Sequence, residues 1–406
     1  MTDTAFRPTD DAQLVELIAW ACAERKPLEI RGTGTKRGLG APGNAEQSLD
    51  MMGFSAISLY EPAELVMSAG AGISLAEVQA TLAAQGQHLA FEPPDLGPLL
   101  GTEGAGTLGG VIACNLAGPR RISVGAARDH FLGFRGVSGR GEAFKSGARV
   151  VKNVTGFDLP KLMAGSMGTL VALSELTIKV LPAPETLGTV LILGLSDETA
   201  VHALSRALGS AHEVSGAAHL PGSLLAGSAL PDEVLSLGRA VTLVRVEGPG
   251  PSVAHRVEAL RSELKDLGET QALDSTASDA VWAALRDVKP LVEPRDRAVW
   301  RISVAPTAAP GVVEAIGAQR SVEAFYDWGG GLIWLATGED GDGGARAIRA
   351  AVASQGKGGH ATLLRGSQAL RAAVPVFQPQ PGPLAALSQR LKDQYDPHGI
   401  LNPGRL

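Results

Sequence analysis

A glycine-rich stretch between Leu96 and Val151 places the strongest constraint on how this chain can fold. It contains thirteen glycines from Gly97 to Gly147. A glycine inside a helix or strand costs conformational entropy, so an ordinary core element does not accumulate so many. Glycine does let successive backbone N–H groups approach an anion with no side chain in between. The stretch therefore predicts a backbone cradle for a phosphate-bearing cofactor.

Length and composition predict a globular protein of two domains. The 406 residues exceed the size at which a single core usually stops growing, and 45% of them are hydrophobic. A net charge of −6 and an aromatic content of 4% argue against nucleic acid as a partner. The first residues lack a secretory-signal pattern, and no apolar run reaches the roughly 18 residues of a membrane span. We therefore expect a cytoplasmic protein without a transmembrane segment.

The cysteine and histidine content argues against a metal centre in this chain. Cys22 and Cys114 are too few for a disulfide framework, a cysteine zinc site or an iron–sulfur cluster. The eight histidines show no metal-ligand spacing. No metal is predicted, and any iron–sulfur centre that takes electrons from this chain must belong to another subunit.

The hydrophobic periodicity predicts an α+β protein with a boundary near residue 185. A helix is expected over 10–24, and the alternating residues of 173–181 predict a half-buried strand followed by two prolines. Beyond them, strands alternate with amphipathic helices, which is typical of helices on one face of a largely antiparallel sheet. We expect a first domain over 1–185, an α+β domain over 186–370, and a helix and tail over 371–406.

A second glycine-rich loop follows the short predicted strand Leu28-Glu29-Ile30. It reads Arg31-Gly32-Thr33-Gly34-Thr35-Lys36. Taken alone, it is typical of a surface turn. Together with the loop 104–118, its hydroxyls, backbone donors and cations can close on one pyrophosphate from two sides. The alternative for the two loops is a generic turn-rich sandwich.

The long stretch also contains a formal G-x-G-x-x-G motif at Gly104, Gly106 and Gly109. A Rossmann dinucleotide site requires this motif to follow a buried strand and to open a helix. Residues 97–103 make a poor strand, and Pro119 soon ends any helix, so neither condition is expected to hold. The sequence therefore argues against NAD binding at this motif.

Four ordered segments carry a resemblance to a known family. They read LEIRGTGTK from Leu28, PPDLG and GTLGGVIACNLAGPRRISVGAARDHFLGF up to Phe134, RVVKNVTGFDLPKLMAGSMGTLVALSELTIKVLPAPE up to Glu185, and DPHGILNPGRL at the end. They resemble the FAD-binding flavoproteins of the vanillyl-alcohol oxidase and p-cresol methylhydroxylase (PCMH) type, and within that family the FAD-binding subunits of bacterial glycolate oxidases. The resemblance implies a two-subdomain PCMH-type FAD-binding domain followed by an α+β cap domain with an antiparallel sheet.

The resemblance also implies which residues contact FAD. Two loops would hold the pyrophosphate, a following segment would pass the flavin, and the C-terminal tail would return to the FAD domain. The residues so assigned are Arg31, Gly32, Thr33, Gly34, Thr35, Lys36, Pro93, Gly106, Thr107, Gly109, Gly110, Asn115, Gly118, Gly125, Asp129, Ile178 and Asn402. Thr35 stands where covalently flavinylated relatives have a histidine, so non-covalent FAD is expected.

The implied reaction is oxidation of a 2-hydroxy acid, glycolate to glyoxylate, with electrons passing through the flavin to an iron–sulfur subunit. A catalytic FAD subunit is the second implied partner. Such a complex is compatible with peripheral association with the inner face of the cell membrane. Self-sufficient relatives carry an H-x-G-D-G-N-x-H motif that this chain lacks, which places hydride abstraction in a sister subunit. Two alternatives stay open: a self-sufficient FAD-dependent 2-hydroxyacid dehydrogenase of the D-lactate type or alcohol oxidase, and a non-catalytic flavin-binding scaffold.

No motif identifies the catalytic residues. Arg120 and Arg121 are candidates because guanidinium groups can clamp a carboxylate bidentately, and the alternative is a surface salt bridge. His360 is the histidine nearest to the acidic, glycine-rich segment 338–343, although a lone strand histidine is commonly structural. The run Tyr326-Asp327-Trp328 before three glycines is consistent with a pocket wall or with core.

Overall fold

The computed structural model describes residues 4–147, 156–225, 228–354 and 358–406. The part RVVKNVT of the third resembling segment lies outside these residues. Up to Pro182 the strands are β1 Thr4–Phe6, β2 Leu28–Arg31, β3 Gln47–Asp50, β4 Ile57–Glu61, β5 Val66–Gly70, β6 Gln87–His88, β7 Phe131–Ser138, β8 Ala143–Gly147, β9 Val171–Lys179 and β10 Leu181–Pro182. The helices are α1 Asp11–Glu24, α2 Leu75–Ala83, α3 Gly97–Leu100, α4 Leu108–Ala113, α5 Arg121–Val124, α6 Ala127–His130 and α7 Leu159–Met163.

Regular structure continues directly after β10. The strands are β11 Thr186–Leu193, β12 Gly216–Leu220, β13 Val241–Gly248, β14 Glu269–Leu273, β15 Arg297–Ser303, β16 Val322–Asp327, β17 Leu332–Gly338 and β18 His360–Arg365. The helices are α8 Asp197–Leu208, α9 Gly222–Leu225, α10 Asp232–Leu235, α11 Gly250–Leu264, α12 Ser275–Arg286, α13 Ala309–Gly317, α14 Ala345–Ser354, α15 Gln368–Ala373 and α16 Gly382–Tyr395. None of these helices combines the length and the apolar character needed to cross a membrane.

The strands up to β10 form three small sheets. The parallel sheet β1-β3-β2 carries the first glycine-rich loop at the end of β2, and the antiparallel sheet β4-β5-β9-β7-β8 lies beside it. The third sheet pairs β6 with β10. This half of the chain combines helices with one parallel and one antiparallel sheet, which confirms the predicted α+β class. We propose that this half, up to about residue 185, is the cofactor domain.

The strands after β10 form one eight-stranded antiparallel sheet in the order β14-β11-β13-β12-β16-β17-β15-β18. Side chains alternate between its two faces, as the period of two requires. Helices α8, α11, α13 and α14 pack on one face. Helix α12 lies on the opposite face, where Trp282 Nε1 donates to Thr189 Oγ1 at 2.9 Å. The short helices α9 and α10 belong to the same cluster, so the expectation that the helices share one face is wrong for α9, α10 and α12.

The face that carries α12 is also the face that meets the first half of the chain. Leu39, Leu96 and Leu99 from the first half belong to the same apolar cluster as Trp282 and Leu285 of α12. These side chains are almost completely buried. The two halves therefore share a hydrophobic interface, and polar groups at its edge lie between the cofactor domain and the sheet.

The C-terminal tail packs against β2. Leu401 forms a parallel bridge with Leu28, and both side chains are fully buried. Asp396 anchors the turn that leads into the tail: its carboxylate accepts the N–H groups of Ile400 and Leu401 at 2.9 and 2.8 Å, and Lys392 Nζ at 2.5 Å. The side chain of Asp396 is 1% exposed, so these partners replace water.

Replacement of Asp396 by alanine should destabilise the tail. The change leaves two buried N–H groups without an acceptor and Lys392 without its carboxylate, a loss of about 3–5 kcal/mol for a broken buried pair. Urea unfolding followed by tryptophan fluorescence measures the change. Asp393→Ala removes the same charge from the exposed side of α16 and should cost less than about 1 kcal/mol. Equal effects of the two variants would contradict the anchoring role.

Candidate functional site

Two glycine-rich loops face each other across a cavity that opens to solvent. The first loop leaves β2, and the second caps α4, where Thr107 Oγ1 accepts the N–H of Gly110 at 3.2 Å. Thr33 Oγ1 donates to the carbonyl of Ala105 at 2.9 Å, which ties the loops directly. A Cβ on Gly32 would lie 2.5 Å from Thr107 Cγ2. Only glycine permits this approach, and the predicted pairing of the two loops is present.

Lys36 places an ammonium group in this cavity. Burial lowers the pKa of Lys36, with smaller opposing effects of Cys114 and Asp95. Its Nζ lies 3.5 Å from Thr35 Oγ1, and no carboxylate of the described residues forms an ion pair with it. A desolvated cation without a paired anion costs free energy. The cavity therefore fits an anionic ligand such as the pyrophosphate of FAD.

Asn402 closes the cavity from the C-terminal tail. Its Oδ1 accepts the N–H of Ile30 at 2.7 Å, and its Nδ2 donates to the carbonyl of Met167 at 2.7 Å. Asn402 has a left-handed backbone conformation with φ of 43°, which asparagine tolerates better than most residues. The tail thus holds the first loop against the segment Ser166–Gly168, which also lines the cavity and was not among the predicted residues.

Ten of the predicted cofactor-binding residues line the cavity: Arg31, Gly32, Thr33, Gly34, Thr35, Lys36, Thr107, Gly109, Gly110 and Asn402. Gly106 adjoins it, since a Cβ there would lie 2.4 Å from Lys36 Nζ. The structure brings these residues together although they come from three distant parts of the chain. Their individual contacts with FAD stay predictions.

The other predicted residues lie away from the cavity wall. Asn115 Oδ1 accepts the N–H of Arg128 at 3.0 Å, and Asp129 Oδ2 accepts the N–H of Ala126 at 2.9 Å, next to Gly125. Gly118 donates its N–H to Phe91 O at 2.9 Å. Pro93 and Ile178 are buried. The FAD role of these residues stays a prediction.

The G-x-G-x-x-G motif needs a correction. The sequence predicts that it neither follows a strand nor opens a helix, yet the six-residue helix α4 begins at Leu108, inside the motif. The residues before it form the short helix α3 and a turn. The prediction of no helix is wrong because Thr107 caps the segment, but the strand that a Rossmann site requires is absent.

The predicted catalytic candidates have different surroundings. Arg120 is buried and pairs with Glu247 and Glu92, and its Nη1 lies 3.0 Å from His88 Nε2. Glu92 in turn receives both terminal nitrogens of Arg245 at 2.9 and 3.0 Å. Burial alone would raise the pKa of Glu92, but the charge and hydrogen bonds of Arg245, followed by Arg120, hold it below its usual range. Arg120 therefore belongs to a buried ion network.

Arg121 points in another direction. Its guanidinium carbon lies 4.4 Å from the ring centroid of Trp328. His360 is exposed at the start of β18. Desolvation, together with the positive charges of Arg301 and Arg121, lowers the pKa of His360. The described residues hold no group of three histidine, cysteine, aspartate or glutamate side chains that could bind a metal.

Trp328 connects the two halves of the chain. Its Nε1 donates to the carbonyl of Gly118 at 3.0 Å, and its N–H donates to Asp327 Oδ1 at 2.7 Å. Trp328 has a φ of 53°, which is costly for an aromatic residue. Tyr326 is fully buried core, whereas Trp328 is only partly buried. In the segment Tyr326-Asp327-Trp328, Tyr326 is therefore a core residue, whereas Trp328 fits the wall of a site.

Replacement of Lys36 by methionine should weaken FAD binding. The variant keeps the aliphatic stem and loses the charge, and one charged hydrogen bond corresponds to about 10- to 100-fold in Kd. Titration of the apoprotein with FAD, followed by flavin fluorescence, measures it. Lys26→Met, at an exposed position, is the matched control. A Lys36→Met protein with unchanged Kd would contradict the cradle.

Replacement of Gly110 by valine should also abolish flavin retention, because the new side chain would be directed at Lys36 and Thr107.

Replacement of Asp327 by asparagine should change how stability depends on pH. Burial raises the pKa of Asp327 to about 7, against the opposing hydrogen bond from Trp328 N–H, whereas an unfolded aspartate has a pKa of about 3.9. The wild type therefore loses stability as pH rises between these values. Asparagine keeps the acceptor oxygen and does not titrate. The Tm of the variant minus that of the wild type should therefore increase from pH 4 to pH 8. A constant difference would contradict the raised pKa of Asp327.

Comparison with known proteins identifies the cofactor. Residues 2–147 match the family model described as an FAD binding domain, and residues 379–406 match that of the C-terminal domain of FAD linked oxidases. FAD is therefore the cofactor of this chain. The structure is consistent with FAD, because Lys36 and the glycines of the cavity lie within or beside the matched segments.

The chain is 33% identical to glycolate oxidase subunit GlcE of Escherichia coli (strain K12) over 402 residues, which cover 99% of each chain. It is 25% identical to glycolate oxidase subunit GlcD of Bacillus subtilis (strain 168) over 350 residues, or 80% of this chain and 69% of that protein. The fold is similar to that of p-cresol methylhydroxylase with substrate bound, with a TM-score of 0.71 and 13% identity over 99% of this chain and 88% of the other. The PCMH-type fold is thereby confirmed.

Proposed function

The chain belongs to the FAD-linked oxidase family that includes glycolate oxidase subunit GlcE, and from this premise we propose that it is the FAD-binding subunit of a complex that oxidises glycolate to glyoxylate. The observation that carries the proposal is the two-loop cavity with the unpaired Lys36, in a chain that aligns with GlcE over 99% of both lengths. The chain is an FAD-dependent oxidoreductase by family, and glycolate is the substrate we propose for it.

The flavin supplies the chemistry of such an oxidation, because it accepts two electrons from the carbon that carries the hydroxyl group. The protein holds the cofactor by its pyrophosphate and orients the substrate. Thr35 lines the cavity. The resemblance predicts that Thr35 stands where covalently flavinylated relatives have a histidine, which supports non-covalent FAD. The chain offers no side chain at Thr35 that could form the histidyl bond.

The proposed partners are a catalytic FAD subunit of the GlcD kind and an iron–sulfur subunit. Two cysteines in the whole chain cannot ligate a cluster that needs four, so an iron–sulfur centre that takes electrons from this flavin belongs to another polypeptide. We further propose that the complex works in the cytoplasm, with any contact to the inner face of the membrane made through the assembly.

The test is purification of the tagged chain from its own cells, followed by a flavin and iron assay and by glycolate-dependent reduction of an artificial dye. We expect co-purification of a second flavoprotein and an iron–sulfur protein, with glycolate oxidation by the assembly. Acid precipitation should release all of this chain's flavin into the supernatant. The Lys36→Met assembly should contain one FAD fewer than the Lys26→Met assembly.

Two results would contradict the proposal in different ways. Full glycolate or D-lactate oxidation by the isolated, flavin-loaded chain would favour the self-sufficient dehydrogenase instead. An assembly whose flavins are not reduced by any 2-hydroxy acid would leave a flavin-binding scaffold as the better description of this chain.

A further inference from the structure

Two arginines from different halves of the chain share one indole ring. The guanidinium carbon of Arg121 lies 4.4 Å from the ring centroid of Trp328, and that of Arg301 lies 5.0 Å from the same centroid. Arg121 begins α5 in the cofactor half, and Arg301 lies in β15 of the eight-stranded sheet. Like charges repel, so a fold does not gather two cations around one ring without a compensating interaction.

The strand register shows why Arg301 faces the cofactor half. Its neighbours Trp300 and Ile302 point into the apolar cluster with α13 and α14, so Arg301 lies on the opposite face of the sheet. Cross-strand pairing places Arg301 opposite Thr362 in β18 and opposite Trp334 in β17. His360, two residues before Thr362, is on the same face. The cations therefore lie at the boundary between the two halves.

No carboxylate of the described residues forms a direct ion pair with either arginine of this cluster. Neither guanidinium group has a hydrogen bond or ion pair to a described residue, in contrast to Arg120 and Arg245 beside them. The charges of Asp129 and Asp327 act on Arg121 and Arg301 without an ion-pair contact, and they only partly oppose the lowering of the arginine pKa values by burial. Desolvation, followed by the charge of Arg121, lowers the pKa of Arg301 to about 10. Both arginines still carry their charge at pH 7.

The geometry points to a carboxylate-binding site: we propose that Arg121 and Arg301 bind the carboxylate of the 2-hydroxy acid, with Trp328 as the platform that positions both. The inference rests on the proposed function and adds that this chain itself holds the substrate. Trp328 fits the part because its indole N–H is fixed to Gly118 and its backbone to Asp327. The site lies where the cofactor half meets the sheet, and it takes small carboxylates rather than neutral alcohols.

The test measures binding of oxalate, which has carboxylates but no C–H bond to oxidise, to the full flavin-loaded chain by isothermal titration calorimetry. Arg121→Gln and Arg301→Gln should each raise the Kd by about 10- to 100-fold, as loss of one charged hydrogen bond does. Arg301→Lys keeps the charge and should lie between wild type and Arg301→Gln. Arg206→Gln removes the same charge from the surface of α8 and should bind as wild type. FAD content is measured for each protein.

Further readouts separate the site from a general loss of folding. Glycolamide, the neutral analogue of glycolate, should bind all variants equally weakly. In the assembled complex, the KM for glycolate should rise for both glutamine variants while FAD content stays that of wild type.

Unchanged oxalate affinity in Arg121→Gln and Arg301→Gln would overturn the inference. It would also fall if the wild type bound no small carboxylate, alone or in the complex, while the complex still oxidised glycolate. That second result leaves the proposed function intact and assigns the substrate to a partner subunit. Failure of the complex to retain FAD or to oxidise any 2-hydroxy acid would instead contradict the proposed function.

Discussion

The bidentate ion pair between Glu92 and Arg245 is the interaction on which the arrangement of the two halves depends. Glu92 belongs to the cofactor half and Arg245, 2% exposed, to the middle of the eight-stranded sheet. Such a pair is costly to bury and more costly to break, so its two partners stay in contact. Glu92 also pairs with Arg120, whereas the next residue, Arg121, contacts Trp328.

The cofactor cavity depends on a second long-range restraint, the return of the C-terminal tail. Asp396 and Lys392 fix the turn before the tail, and Asn402 then hydrogen-bonds both Ile30 and Met167. The residues that surround the cavity therefore come from the beginning, the middle and the end of the chain. Cofactor binding and docking of the tail are coupled because they use the same backbone segments.

The sequence predicted the fold class and the pairing of the two glycine-rich loops. These features follow from local causes: the period of apolar residues, and glycine where Gly32 must approach Thr107. The expectation that the helices share one face of the sheet was wrong, because the side on which a helix packs depends on tertiary contacts. The expectation of no helix at the G-x-G-x-x-G motif was also wrong, because it overlooked the local cap in which Thr107 accepts the N–H of Gly110. Glu92, Arg245 and Arg301 were missed, since nothing in their local sequence distinguishes a buried charged side chain from one at the surface.

By itself, the amino-acid sequence predicted a phosphate-bearing cofactor, and its two cysteines are too few to hold an iron–sulfur cluster in this chain. Glycine spacing and cysteine count are properties of the chain alone. Tertiary structure decided which of two adjacent arginines is available: Arg120 meets Glu92 and Glu247, whereas Arg121 meets Trp328 and comes near Arg301. The physical reason is that charge compensation depends on distances across the fold, and residues more than a hundred positions apart set those distances.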